Sequence, residues 1–189
     1  MTVANFAPIH NLSTGETYHF FPIDKDYKNK ILYFKRTHEP NRSVPLHIHP
    51  YQEERFVVLE GEVNFQLSKG EFIIAKAGQV VSIPAGIAHA PLNKTSVENI
   101  SIVSFTPEMN SRRFFESIAG HSKTSKTGFN GIPINPFKAI AIGSTYRDEF
   151  ELAHIPPVIR KLTYFTLGNI IKKLGYTPWR NNFRSEINK

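Results

Sequence analysis

The chain of 189 residues is long enough for one well-buried domain and short for two. Its 40% hydrophobic and 21% charged residues are ordinary for a soluble globular protein, and no apolar run approaches the ~18 residues of a membrane-spanning helix. With no cysteine, a disulfide framework and a thiolate zinc site are both excluded, so any metal must sit on His, carboxylate or carbonyl ligands.

The opening residues Met1 to His10 lack a basic stretch followed by an apolar one, so no signal peptide is read and a cytoplasmic location is expected. In a chain that is not secreted, the Asn-x-Ser/Thr sequons at Asn11, Asn41, Asn93 and Asn99 carry no meaning. From Thr17 to about Phe105 the pattern is short and strand-like. Thr17–Phe21 and Lys30–Lys35 are aromatic-rich runs, and Arg55–Leu59 is mostly apolar before the turn signal Glu60-Gly61. Val63, Phe65 and Leu67 alternate with polar residues, the period of a strand with one buried face. Phe72–Ala75, Val80–Ile83 and Asn99–Phe105 complete the series, with Pro84 ending the second of these because proline cannot donate to a ladder. Many short strands with frequent turn signals predict a sandwich or barrel.

After Phe105 the punctuation becomes helical. Thr106-Pro107 reads as a helix start and Gly120 as its stop, with Met109, Phe114, Phe115 and Ile118 on its apolar side. His121–Asn135 is polar and reads as an exposed loop. Asn135-Pro136 repeats the start signal for a helix through about Phe150, weakened by Gly143. Pro156-Pro157 opens a third, whose broad apolar band runs from Val158 to Leu174 and stops at Gly175. Packing of this band against the barrel or across a dimer is the expectation, with membrane-surface binding the alternative. Residues 151–189 carry seven Lys/Arg against two Asp/Glu, so +5 of the net +7 sits in the tail. A solvated basic face on a packing helix explains that, and an anionic membrane surface is the competing reading.

The chemistry concentrates in Pro45-Leu-His-Ile-His-Pro-Tyr-Gln-Glu-Glu-Arg-Phe-Val-Val-Leu-Glu-Gly61. Residues two apart on a strand share a face, so His47 and His49 project together as half a metal site. Glu54 alternates with Phe56 and Val58 on one face of the next strand and offers a hard anionic donor. Its rival is the neighbouring Glu53. His89 is the fourth candidate, within Gly78-x5-Pro84-x-Gly86-x2-His89-x3-Asn93. Tyr51 and Gln52 either support the ligands and line the mouth or simply turn the chain. His10, His19, His38, His121 and His154 read as satisfied core residues.

These two stretches resemble the paired motifs of the cupin superfamily, G-x5-H-x-H-x3,4-E-x6-G and G-x5-P-x-G-x2-H-x3-N. The second matches at all five fixed positions. The first departs only at its opening glycine, replaced by Asn41, a residue that tolerates left-handed backbone. The resemblance implies a mainly β protein, a jelly-roll barrel over roughly residues 15–105 that with its N-terminal strands makes up residues 1–106. Residues 107–189, with their helical punctuation, are expected to form a C-terminal α-helical extension packed on it. The resemblance also implies one divalent transition metal ion per chain (Fe, Mn, Ni, Co or Zn) on His47, His49, Glu54 and His89. The E-x6-G spacing of its first motif favours Glu54 over Glu53. Four protein ligands on an octahedral ion leave two adjacent positions for water, dioxygen or a bidentate substrate. The expected function is a metal-dependent, dioxygenase-like oxidoreductase on a small organic substrate, with Glu54 able to act also as catalytic base. Isomerase or decarboxylase chemistry is the enzymatic variant. Phe56, Val58 and Phe65 are expected to line an interior suited to an aromatic or aliphatic molecule. The alternative is a non-catalytic metal or small-molecule binding protein, brought to membranes by its basic helix. A homodimer is expected and a nucleic-acid partner is not. The His–Asp or Tyr acid/base pair of a cupin-type sugar-nucleotide epimerase is not legible.

Overall fold

The computed structural model describes residues 7–21, 31–124, 127 and 133–178. Two sheets face each other. The first has the order β1–β2–β3–β11–β6–β9, formed by β1 (Ile9–Asn11), β2 (Glu16–Phe20), β3 (Leu32–His38), β11 (Asn99–Thr106), β6 (Glu53–Glu60) and β9 (Val80–Ile83). The second runs β12–β5–β10–β7–β8, formed by β12 (Glu151–Leu152), β5 (His47–Ile48), β10 (His89–Asn93), β7 (Glu62–Leu67) and β8 (Phe72–Lys76). A short β4 (Arg42–Ser43) also pairs with β10. All these ladders are antiparallel. This is the expected jelly-roll barrel with helices after it.

Alternation decides the faces. On β3, Leu32, Phe34, Arg36 and His38 point inward while Tyr33 is exposed, and on β6 Glu54, Phe56 and Val58 do the same. The core joins Tyr18, Phe34, Phe56, Phe65 and Phe105, all nearly fully buried. Each such ring contributes roughly 1.5–3 kcal/mol of burial free energy. Asn41 stands at φ 55, so it takes the left-handed turn that the motif's usual glycine would supply. Asn93 is buried, and its amide donates to the carbonyls of His38 and Val97, which closes the turn after β10.

The helices depart from the sequence reading in their boundaries. Thr106 belongs to β11, where it pairs with Glu53, and α1 (Ser111–Thr124) begins only after that ladder ends. Gly120 is buried inside α1 instead of stopping it, because packing outweighs the ~1 kcal/mol helix cost of glycine. His121–Thr124 are therefore helical. The rest of the loop expected there lies outside the described residues, apart from Thr127 and 133–135. The second helix, α2 (Pro136–Thr145), starts as read, with the Asn135 side chain accepting from the Phe137 and Lys138 amides. It ends five residues short of Phe150, and the chain then forms β12, which pairs with β5. The third, α3 (Pro157–Lys173), is followed by Gly175 at φ 89.

The third helix packs on α2 through very close contact. A Cβ at Gly143 would meet the Tyr164 hydroxyl at 2.6 Å, and one at Gly168 would meet the Ser144 Cβ at 2.5 Å. Buried Arg160 on α3 pairs with Glu151 at 2.8 Å and donates to the Leu152 carbonyl. Much of the apolar band is nonetheless exposed, including Val158, Leu162, Phe165, Ile170 and Leu174. Within this chain the band is not covered by the barrel. Among the described residues, no helix is long and apolar enough to cross a membrane.

Candidate metal centre

His47 and His89 face each other across the β5–β10 ladder, and His49 follows at the end of β5. Glu54 enters from β6 on the opposite sheet. One ligand atom from each of the four lies within 4.8 Å of all the others, and all four residues are buried. Glu53 points outward and is exposed. The alternation of β6 thus separates the two carboxylates as the spacing to Gly61 does.

Each imidazole is held from behind. The Nδ1 atoms of His47, His49 and His89 lie 2.8, 2.5 and 3.0 Å from the carbonyls of Pro45, Glu149 and Ile87. A carbonyl can only accept, so these contacts place a proton on each Nδ1 and turn each Nε2 inward. The Nε2 atoms of His47 and His49 stand 3.0 Å apart. In neutral rings those are two facing lone pairs, an arrangement that a shared cation relieves. The Glu54 carboxylate adds negative charge, with its Oε2 atom 2.6 Å from His89 Nε2 and 3.4 Å from His49 Nε2. Three imidazoles, one carboxylate and no thiolate fit a divalent ion of the first transition row.

The electrostatics agree. Burial, reinforced by the neighbouring imidazoles of His89 and His49, pushes His47 well below its ordinary value, which keeps its ring neutral. Burial pushes the Glu54 carboxyl up, but the imidazoles of His49 and His89 beside it overcome that and hold it below the usual carboxylate range. Burial lowers His89, and its bond to Glu54 outweighs this and raises it.

Several supports were not legible beforehand. Glu149 and Phe150 fall in a stretch read as helical, yet the Glu149 carbonyl anchors His49. The Phe150 ring stacks on His47 with centroids 4.8 Å apart. The Glu149 carboxylate, itself buried, accepts from the backbone and side-chain amides of Asn110. Gln52 neither lines a mouth nor touches the ligands. It is fully buried, donates to the carbonyls of Pro107 and Glu108 and accepts from the Ser111 hydroxyl, fixing the entry to α1. Tyr51 is exposed. Of the remaining histidines, His38 and His121 are buried, while His10 and His154 are exposed and His19 is half-buried, so the core reading fails for those three.

A cavity of about 110 Å³ reaches His47, His49 and Glu54 and is roofed by α1 and α2. Its walls are not the expected Phe56, Val58 and Phe65, which are packed into the core. They are Phe34, Phe114, Phe115 and Phe150 with Ile118 and Ile142, because the helices close over the barrel's mouth and bring their own apolar faces. A second polar group opens onto the same cavity. Arg36 donates from Nε to Glu16 at 2.6 Å, while the Thr14 and Tyr18 hydroxyls donate to the other Glu16 oxygen. Arg36 Nη2 lies 2.7 Å from His38 Nδ1, and His38 Nε2 donates to the Thr14 carbonyl.

A family model described as a cupin domain matches residues 35–105. No curated protein matches the chain. Among solved structures, the chain is similar to a conserved protein with a double-stranded β-helix domain from Klebsiella pneumoniae, at 19% identity over 56% of this chain and 82% of that one, TM-score 0.43. It is similar to the polyketide cyclase RemF from Streptomyces resistomycificus, at 25% identity over 50% and 66% of the two chains, TM-score 0.44. It is also similar to an RmlC-like cupin from Shewanella frigidimarina, at 16% identity over 58% and 89%, TM-score 0.47.

Proposed function

The chain belongs to the cupin superfamily through residues 35–105, and from that premise we propose that it is a metal-dependent, dioxygenase-like enzyme acting on a small organic molecule held beneath α1 and α2. The observation that carries this reading is the meeting of the four-residue cluster with a cavity large enough for more than water. His47, His49, Glu54 and His89 would hold one divalent ion, which when bound supplies Lewis acidity and a place for dioxygen. The chain's own part is positional. The three backbone carbonyls fix the imidazole planes, so little reorganisation is needed on loading. The Phe34, Phe114, Phe115 and Phe150 rings exclude water and orient an apolar substrate body. Glu54 is ionised throughout the neutral range, so it serves first as an anionic donor. As catalytic base it would accept a substrate proton once its hydrogen bonds to the imidazoles are released.

The test is metal analysis of natively purified protein, followed by oxygen uptake with catechols and enols using the metal found. Iron, manganese, nickel or cobalt with oxygen consumption supports the reading, and zinc without turnover of either class counts heavily against it. In a His47→Ala, His49→Ala chain, metal content is expected to fall from near stoichiometric to near zero. Stoichiometric metal in that chain would refute the ligand assignment.

A second reading has its own observation. The exposed band of α3, flanked by Lys161, Lys172 and Lys173, suits the surface of an anionic membrane. On that reading the protein binds a metal or small molecule without turning it over.

A further inference from the structure

Arg36 is buried, yet its Nη1 atom has no hydrogen-bond partner among the described residues. Elsewhere on the guanidinium, Nε donates to Glu16 and Nη2 gives one N–H to His38. Glu16 is already engaged at both oxygens, Oε1 by Arg36 Nε and Oε2 by the Thr14 and Tyr18 hydroxyls, and does not reach Nη1. A buried charged donor left unpaired is costly, and the chain tolerates this one beside an internal cavity that Arg36 itself lines.

The strand register gives the cavity two ends. Arg36 pairs with Ser101, whereas Glu54 pairs with Phe105, four residues further along β11. Their backbones are therefore separated by roughly 13 Å along the strands. Phe34, opposite Val103, stands between those two levels, and Phe114, Phe115, Ile118 and Ile142 line the same cavity. A small molecule fitting both ends carries an anionic head, an apolar body and a donor group that reaches the cluster.

We propose that Arg36 Nη1 is the carboxylate-recognition group of this cavity, and that the substrate class is small, elongated monocarboxylic acids with an aromatic or branched apolar body. The proposal rests on the cavity being the substrate site of the metal-dependent reading. Glu16, Thr14, Tyr18 and His38 are positioning residues, since they fix the guanidinium plane and leave its free edge for a planar carboxylate. Such a pair is worth most where water is excluded.

Calorimetric titration of the full chain, as purified and metal-analysed, tests this with 3-phenylpropanoate and its neutral counterpart 3-phenylpropan-1-ol. The expected result is at least a tenfold preference for the acid. In a Glu16→Gln, Arg36→Met chain, where both charges leave together and no buried charge is stranded, the preference is expected to fall below twofold with metal content unchanged. Arg36→Lys keeps the ion pair but lacks the forked edge, and the same loss is expected there, so the test survives misfolding of the double variant. Equal affinity for acid and alcohol, binding of neither, or a preference retained without Arg36 overturns the proposal. The His47→Ala, His49→Ala chain separates the two claims. Preference lost there but kept in the Arg36 variants places the carboxylate on the metal and overturns Arg36 alone. Preference kept in the His47→Ala, His49→Ala chain is the expected outcome, because Arg36 and not the ion reads the carboxylate. An unsubstituted chain that purifies without metal and still prefers the acid overturns the metal reading and leaves Arg36 standing.

Discussion

Each imidazole of the cluster is only as well aimed as the carbonyl behind it, and the Glu149 carbonyl is the one with a side chain guarding it. The Glu149 carboxylate ties its turn to Asn110 through two hydrogen bonds. Glu149→Ala frees that turn and loosens His49, so metal affinity is expected to fall roughly tenfold or more. Competition with a chelator measures this, and unchanged affinity would show that the turn holds without the carboxylate. The Arg36 network makes a separate prediction about pH. His38 is lowered to about 3, first by burial and then by the Arg36 charge, so the folded protein keeps it neutral. Its unfolded value is 6.5. The stability it contributes is thus fully present above pH 6.5 and is lost as pH falls toward 3, by about 2 kcal/mol at pH 5. Burial raises Glu16 but Arg36 holds it below 4.5, which adds a further loss only at still lower pH. Denaturant melts between pH 7.5 and 5 are expected to show this slope, and His38→Gln should make it shallower, with the lowered His47 contributing what remains.

At the scale of elements, the α2–α3 pair shows what motif reading could and could not reach. Gly143 reads in the sequence as a weak point in a helix, and its structural reason is the Tyr164 hydroxyl lying against it. Gly168 is the matching close approach from α3. Gly168→Ala gains up to ~1 kcal/mol of helix propensity. It also forces a methyl group into the Ser144 Cβ, an overpacking cost of about 1–3 kcal/mol. A net loss of about 1–2 kcal/mol in thermal or denaturant unfolding is expected, and a stabilised variant would mean the helices part easily. The strands of the barrel were legible because alternation and turn residues are local signals. His47, His49 and His89 were legible because two short motifs place them on two strands. Arg36 was not, because the aromatic run was read as ending at Lys35, one residue before the inward position it occupies. Glu149, Phe150 and β12 were hidden for a different reason. A two-residue strand carries no period, and its partner β5 lies about a hundred residues away.

For the whole molecule, the unexplained quantity is surface. The α3 band joins exposed Phe72, Ile74 and Val80 on the barrel as apolar area that this single chain leaves open to water. Three lysines on α3 would each add roughly 1 kcal/mol of attraction near an anionic bilayer, a term that salt removes. If the α3 band is a membrane face, sedimentation with phosphatidylserine-containing vesicles should be seen at ~20 mM salt and be lost near ~0.5 M. Phe165→Glu should weaken it further. No binding at low salt sinks the membrane reading and leaves the band to self-association or another partner, which sedimentation velocity would report.

The carbonyl of residue 149 also sets a schedule. A chain emerging from the ribosome presents His47, His49, Glu54 and His89 well before the residue that aims His49 has been made. The barrel motifs can fold while the centre is still poorly shaped for an ion. On the proposed metal-binding reading, tight capture would belong to the end of synthesis, when β12 docks beside β5. An early encounter with the wrong cation would be correspondingly easy to reverse, which would give selection between metals a temporal component as well as a chemical one.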